Sequence, residues 1–339
     1  MLSLVIAGPG LLLQQACSDR PSEQGGDVTS TGQEGVRHSL EAAEVYIAGG
    51  EVDKARTILS RLIEEDPVDA RPYEVMARLL LAQGIQLRQV GLMDASKAEF
   101  KASFDLYTKA IERMPESSGL HQSAGEVAQQ AGLRQEALDM YLRSVELDPI
   151  NLRSQINAAQ LLIEEAPDQS ERMLRTVLEA DPNQPHALSS LALLLLRVGK
   201  TEESESIASR ALAVAGDQEG VRIAIARVHR EAGRPRMALE LLLALPDHIR
   251  SQEPATVEIA RSWESIGRPM NAGQAWADCF AANAHRTDAW RFALSAAESL
   301  GLAGQTAMAS SWLEQAIMLD APVARVEDAR RLIAESGRP

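Results

Sequence analysis

Apolar and small residues recur along this chain at helical spacing, in stretches that a glycine or a proline closes. The pattern is complete between residues 118 and 149. Leu120, Ala124, Gly125 and Ala128 fall on one face of a helix. Gly132 ends that helix, because glycine takes the left-handed conformation at low cost. Ala137, Leu138, Tyr141, Leu142 and Val145 make the face of a second helix, and Pro149 breaks the chain after it. The small residues let the two helices approach closely. Tyr141 and the leucines fill the space toward the neighbouring unit.

The same figure returns at a nearly fixed step. Pro115 to Pro149 spans 34 residues and Pro149 to Pro182 spans 33. A glycine stands midway in several units, as Gly50 does before Pro67 and Gly132 before Pro149. Residues 36–67 supply Ala43, Tyr46, Gly50, Ala55 and Leu59. Residues 152–182 supply Ala159, Leu162, Ser170 and Leu174, and residues 185–216 supply Leu191, Ala192, Gly199, Ser204 and Ala208. Ala226, Gly233, Ala238 and Leu242 continue the figure, then Ala260, Gly267, Ala272, Trp276 and Cys279. A looser last unit holds Trp290, Gly301, Ala309, Leu313 and Pro322. A step of this size marks an array of helical repeats.

The residues at these positions resemble the tetratricopeptide repeat. That unit wants a small residue midway in its first helix, Gly at the turn, Ala early in the second helix, an aromatic or Leu four residues on, and Pro at the end. The resemblance implies an all-α, right-handed superhelical solenoid of about eight helix pairs over residues 37–322. Residues 323–339 are expected to form a capping helix and tail, with Val326, Ala329, Leu332 and Ile333 on the inward face.

One unit breaks the period. Pro67 to Pro115 is 48 residues, so 14 are extra, and they fall around residues 85–98 as IQLRQVGLMDASKA. Shared between two helices they add roughly two turns to each, about 10 Å at 1.5 Å per residue. The expectation is a helical hairpin that stands proud of the array. Ile85, Leu87, Val90, Leu92 and Met93 either pack between its helices or meet a partner.

Composition narrows the function. The chain has 339 residues with 45% hydrophobic and only 4% aromatic content, which suits close-packed helices. A net charge of −14 argues against nucleic acid as the ligand, since phosphate neutralisation needs clustered Lys and Arg. Cys17 and Cys279 are too few for a disulfide framework, and Cys279 occupies a small-residue packing position.

The first 16 residues, MLSLVIAGPGLLLQQA, are apolar, and Cys17 follows. Residues 1–17 read as a leader and residues 18–36 as a flexible polar tether. Cys17 after Ala16 resembles a bacterial lipoprotein cleavage site, although Gln14 and Gln15 stand where that family has Leu and a small residue. The implied localisation is exported, periplasmic or lipid-anchored at the cell envelope through Cys17. If the leader is not a signal, it is cytoplasmic.

No catalytic constellation is visible. The six histidines are not paired at helical metal-site spacing, and no phosphate loop or nucleophile elbow occurs, so neither a metal nor a cofactor is expected. Adjacent acids such as Glu164 and Glu165 read as solvated helix faces.

What remains is the groove that the resemblance implies, lined by the first helix of each unit. Carried onto this chain, its wall holds Arg153, Asn157 and Gln160, then Ser189 and Leu193, then Arg227, Arg230 and Arg261. Arginines gathered in an acidic chain suggest an acidic segment as ligand. The competing reading pairs them with Glu231, Glu258 and Glu264. Asn157 falls where chaperone-binding relatives place a clamp Asn, but Gln122 and Glu126 replace the clamp residues of the preceding unit, so that activity is not expected. The expected function is a non-enzymatic scaffold or adaptor that binds a protein or peptide. The alternatives are an assembly factor for an outer-membrane or pilus machine, and a regulatory partner of an enzyme acting in trans.

Overall fold

The computed structural model describes residues 30–216 and 218–336. Cys17 and the leader lie outside the described residues. All regular structure among the described residues is helical, in eight successive pairs. They are α1 (Ser30–Ala48) with α2 (Val52–Glu65), α3 (Ala70–Gln89) with α4 (Met93–Arg113), and α5 (Ser118–Ala131) with α6 (Arg134–Leu147). Next come α7 (Leu152–Leu162) with α8 (Pro167–Ala180), α9 (Pro185–Arg197) with α10 (Thr201–Ala215), and α11 (Glu219–Glu231) with α12 (Pro235–Leu243). The single turn α13 (Asp247–Arg250) precedes α14 (Glu253–Ser265) with α15 (Pro269–Asn283), and α16 (Trp290–Leu302) with α17 (Thr306–Met318). The last helix, α18 (Val323–Ser336), buries Val326, Ala329 and Ile333, while Leu332 is half-buried. Helix α1 begins at Ser30, inside the segment read from sequence as tether, because no proline separates it from the Leu40 and Ala43 stripe that anchors the helix.

The turn residues explain the boundaries. Gly132 caps α5 in the left-handed region, at φ 80°, with nothing near the place a Cβ would take. At three of the junctions between pairs, an aspartate ends the second helix and folds its carboxylate back onto the backbone. Asp66, Asp148 and Asp181 each accept from the amide two residues on, at 3.1, 3.2 and 3.1 Å. Each is followed by one of the recurring prolines, which cannot continue a helix. Pro167, Pro185, Pro235 and Pro269 then open helices, where a missing amide hydrogen does no harm.

Within a pair the helices close on small residues. Ser103, Ser170 and Ser204 are buried at the crossing, and each hydroxyl donates to a carbonyl of the first helix (Ala77, Ala159 and Ala192) at 2.7 Å. The large side chains fill the space beside these crossings. Leu174, Val177, Leu191 and Leu194 form one such cluster, and Leu242, Trp276, Cys279 and Phe292 belong to another.

The chain forms two compact units. The first ends at Leu81 and takes in Ala102–Pro115, and the second comprises Ala82–Lys101 with the chain from Glu116 onward. In the first, Leu40, Ala43, Leu59, Val75 and Leu79 make the core, and Arg113 stacks on Tyr73 at 4.1 Å. The second holds the remaining six pairs, the cap, and the tip of the long hairpin.

The hairpin is long, with 20 residues in α3 and 21 in α4. Its tip does not stand free. Gly91 is buried, its carbonyl accepts from the Thr287 amide at 3.3 Å, and the Gln89 carbonyl accepts from the His285 ring at 3.2 Å. The hairpin reaches this neighbour because its seam stays regular. Ser96 Oγ donates to the Gly84 carbonyl at 2.7 Å, one heptad from the equivalent bond of Ser103, and the Phe100 ring lies on Gly84. Ile85, Leu87 and Met93 are half-buried, and Val90 and Leu92 are exposed.

Candidate partner-binding groove

In the second unit the first helices of successive pairs stand side by side and line a groove of 670 Å³. Ile163, Leu193, Ile223, Ala224, Pro254 and Val257 give it an apolar floor. Gln160, His186, Ser189 and Ser190 add polar groups, with Gln160 Nε2 donating to Ser190 Oγ at 2.8 Å. Ser189 is buried and donates to the His186 carbonyl at 3.1 Å, which fixes its hydroxyl in the wall.

Charges run along the wall as a continuous ladder. Arg197 reaches Glu164 at 2.6 Å on one side and Glu231 at 3.4 Å on the other. Arg227 meets Glu231 at 2.8 Å, Arg230 meets Glu258 at 2.8 Å, and Arg261 lies 3.7 Å from Glu258. Burial alone would push the Glu231 carboxyl up, but the hydrogen bond and charge of Arg227, with Arg197, hold it below its usual 4.5. Glu258 is buried, so the Arg230 pair belongs to the packing as much as to the surface. Glu264 has a different task, since its Oε1 accepts from Trp276 Nε1 at 2.8 Å and from Ser299 at 3.0 Å.

The structure thus gathers Gln160, Ser189, Leu193 and Arg227 at one groove. Arg230 and Arg261 flank it through Glu258. Arg153 stands off the groove, exposed and paired with Glu126 at 2.9 Å, and Asn157 is half-buried beside Tyr141. Arg134 and Glu164 were missed as groove residues. Glu164 is exposed, as expected of a solvated face, yet it lines the groove and holds Arg197. Arg134 opens a second helix and donates to the Leu161 carbonyl, which brings it over the groove edge.

Residues 36–79 match a family model described as tetratricopeptide repeat. A tetratricopeptide repeat protein from Parabacteroides merdae superposes with a TM-score of 0.59 at 14% identity, over 73% of this chain and 93% of that one. The paired helices of the described residues thus share the fold of tetratricopeptide repeat proteins. The repeat fold also relates the chain to the Cut9–Hcn1 hetero-tetramer of the APC/C, at a TM-score of 0.54 and 12% identity, over 91% of this chain and 57% of that one. No curated protein matches the sequence. Among the described residues no group of His, Cys, Asp or Glu is placed to hold a metal, and no helix is long and apolar enough to cross a membrane.

Proposed function

We propose that this chain is a non-catalytic scaffold or adaptor that holds a segment of a partner protein in the groove of its second unit. The observation that carries the reading is the apolar floor bordered by an ion-pair ladder. Such a surface suits a segment with an apolar stripe and charged flanks. The finer reading is an acidic segment. Arg197, Arg227 and Arg261 keep 27%, 41% and 48% of their side chains exposed, so each can turn from a wall glutamate to a partner's carboxylate. Arg230 keeps only 15% and is committed to Glu258.

The test is affinity capture from a source lysate, comparing the parent chain with Arg227→Glu/Arg261→Glu, which spares Arg230. Loss of a partner that has acidic segments supports the acidic reading. Loss of partners on Leu193→Asp with none on the charge reversal supports the groove without the acidic preference. Unchanged capture by both variants overturns the proposal.

A further inference from the structure

The tip of the long hairpin meets a loop 196 residues away in sequence. In the second unit, the helix pairs from α5–α6 to α14–α15 pack each on the next, and α7, α9, α11 and α14 face the groove. The tip touches both ends of that run. At one end Arg88 donates to Gln130 Oε1, at the close of α5. At the other, Gln89 and Gly91 bond to His285 and Thr287, in the loop after α15. The run of helices is therefore closed into a circuit that includes every helix lining the groove.

Both halves of the closing contact are built for it. Gly91 has φ 82°, and a Cβ there would lie 2.5 Å from the His285 carbonyl oxygen. Only glycine lets the two backbones come this near. The receiving loop is held rigid by Arg286, which pairs with Glu253 at 2.5 Å and Asp288 at 2.9 Å and lies over the Phe292 ring. Glu253 itself lines the groove, so the docked loop and the groove edge are one piece.

We propose that the hairpin tip is a clasp. Closed, it admits to the groove a free chain terminus or an unfolded segment threaded end-on, and it excludes a segment carried within a folded protein. Release of the tip opens the groove from the side. This rests on the groove being the binding surface, but its test needs no partner.

The experiment places a thiol in the groove with Gln160→Cys, in a full-length Cys17→Ser background. Its labelling is timed with N-ethylmaleimide and with a maleimide borne on a folded fluorescent protein. Gly91→Asn opens the clasp, because Asn tolerates a positive φ while its Cβ still collides with His285. Gly132→Asn is the control, with φ 80° and no neighbour at its Cβ. If the open state is a minor one, populated to about 10% or less, the bulky reagent gains at least about tenfold in rate with Gly91→Asn. The small reagent and the Gly132→Asn control stay unchanged. Equal bulky-to-small ratios in all three proteins overturn the clasp, and leave the capture result untouched.

Discussion

Arg230 and Glu258 face each other at 2.8 Å from the first helices of neighbouring pairs, with 15% and 9% of their side chains exposed. Removing Arg230 leaves the buried Glu258 carboxylate with only the longer contact to Arg261, at 3.7 Å. Arg230→Met is expected to lower the stability of the second unit by about 3 kcal/mol, toward the low end for a broken buried pair. Adding Glu258→Leu is expected to recover most of that loss. Urea titration followed by circular dichroism checks both. A double variant as unstable as the single would show that packing, not the stranded charge, is at fault.

Gly125 sits under Tyr141, and a Cβ there would fall 2.7 Å from the ring. The ring is fully buried and its hydroxyl donates to Gln129 at 3.0 Å, so it has little room to yield. Gly125→Ala is expected to destabilise by about 1–2 kcal/mol, the overpacking outweighing about 1 kcal/mol of helix propensity. Gly119→Ala in the same helix meets nothing within 4 Å and is expected to raise the melting temperature. Thermal melts of the two variants should move in opposite directions.

Most of the fold was legible because the period places small residues at helix crossings and Gly or Pro at the ends. Ser103, Ser170 and Ser204 show why serine serves at those crossings, since each finds a carbonyl within reach. The groove was legible in part. The arginines were found by their position on first helices. Glu164 escaped because it was weighed against Glu165 beside it rather than against residues one repeat away. Arg197 lies 33 residues from Glu164 and 34 from Glu231. Opposite charges separated by the repeat period are the signal that would have found the ladder. The docking of Gly91 on His285 had no such signal, because nothing periodic links residues that far apart.

Burial holds His229 below its usual 6.5, so the folded chain resists its protonation. The unfolded chain takes up that proton first as the pH falls through 6.5. Stability is therefore full above this value and falls as the pH drops toward the folded pKa. His229→Leu is expected to flatten the dependence between pH 7 and 5. Melting temperatures of parent and variant across that range provide the check, and parallel curves would count against it.

Cys279 is buried and its thiol is pushed up to about 12, mainly by burial. The thiolate is the reactive form, so in a Cys17→Ser chain Cys279 is expected to stay silent toward Ellman's reagent at pH 8 while folded and to react on addition of guanidinium. Prompt reaction in the folded chain would mean that the packing around α15 opens easily.

Solenoids ordinarily gain or lose whole repeats over evolutionary time, because each unit answers only to its neighbours. The contact between Gly91 and the loop at His285 removes that freedom from the pairs between them. Deleting or duplicating one would carry the loop away from the hairpin that meets it. Homologous chains that keep the long hairpin should therefore share a constant number of intervening repeats, while those without it are free to vary in length.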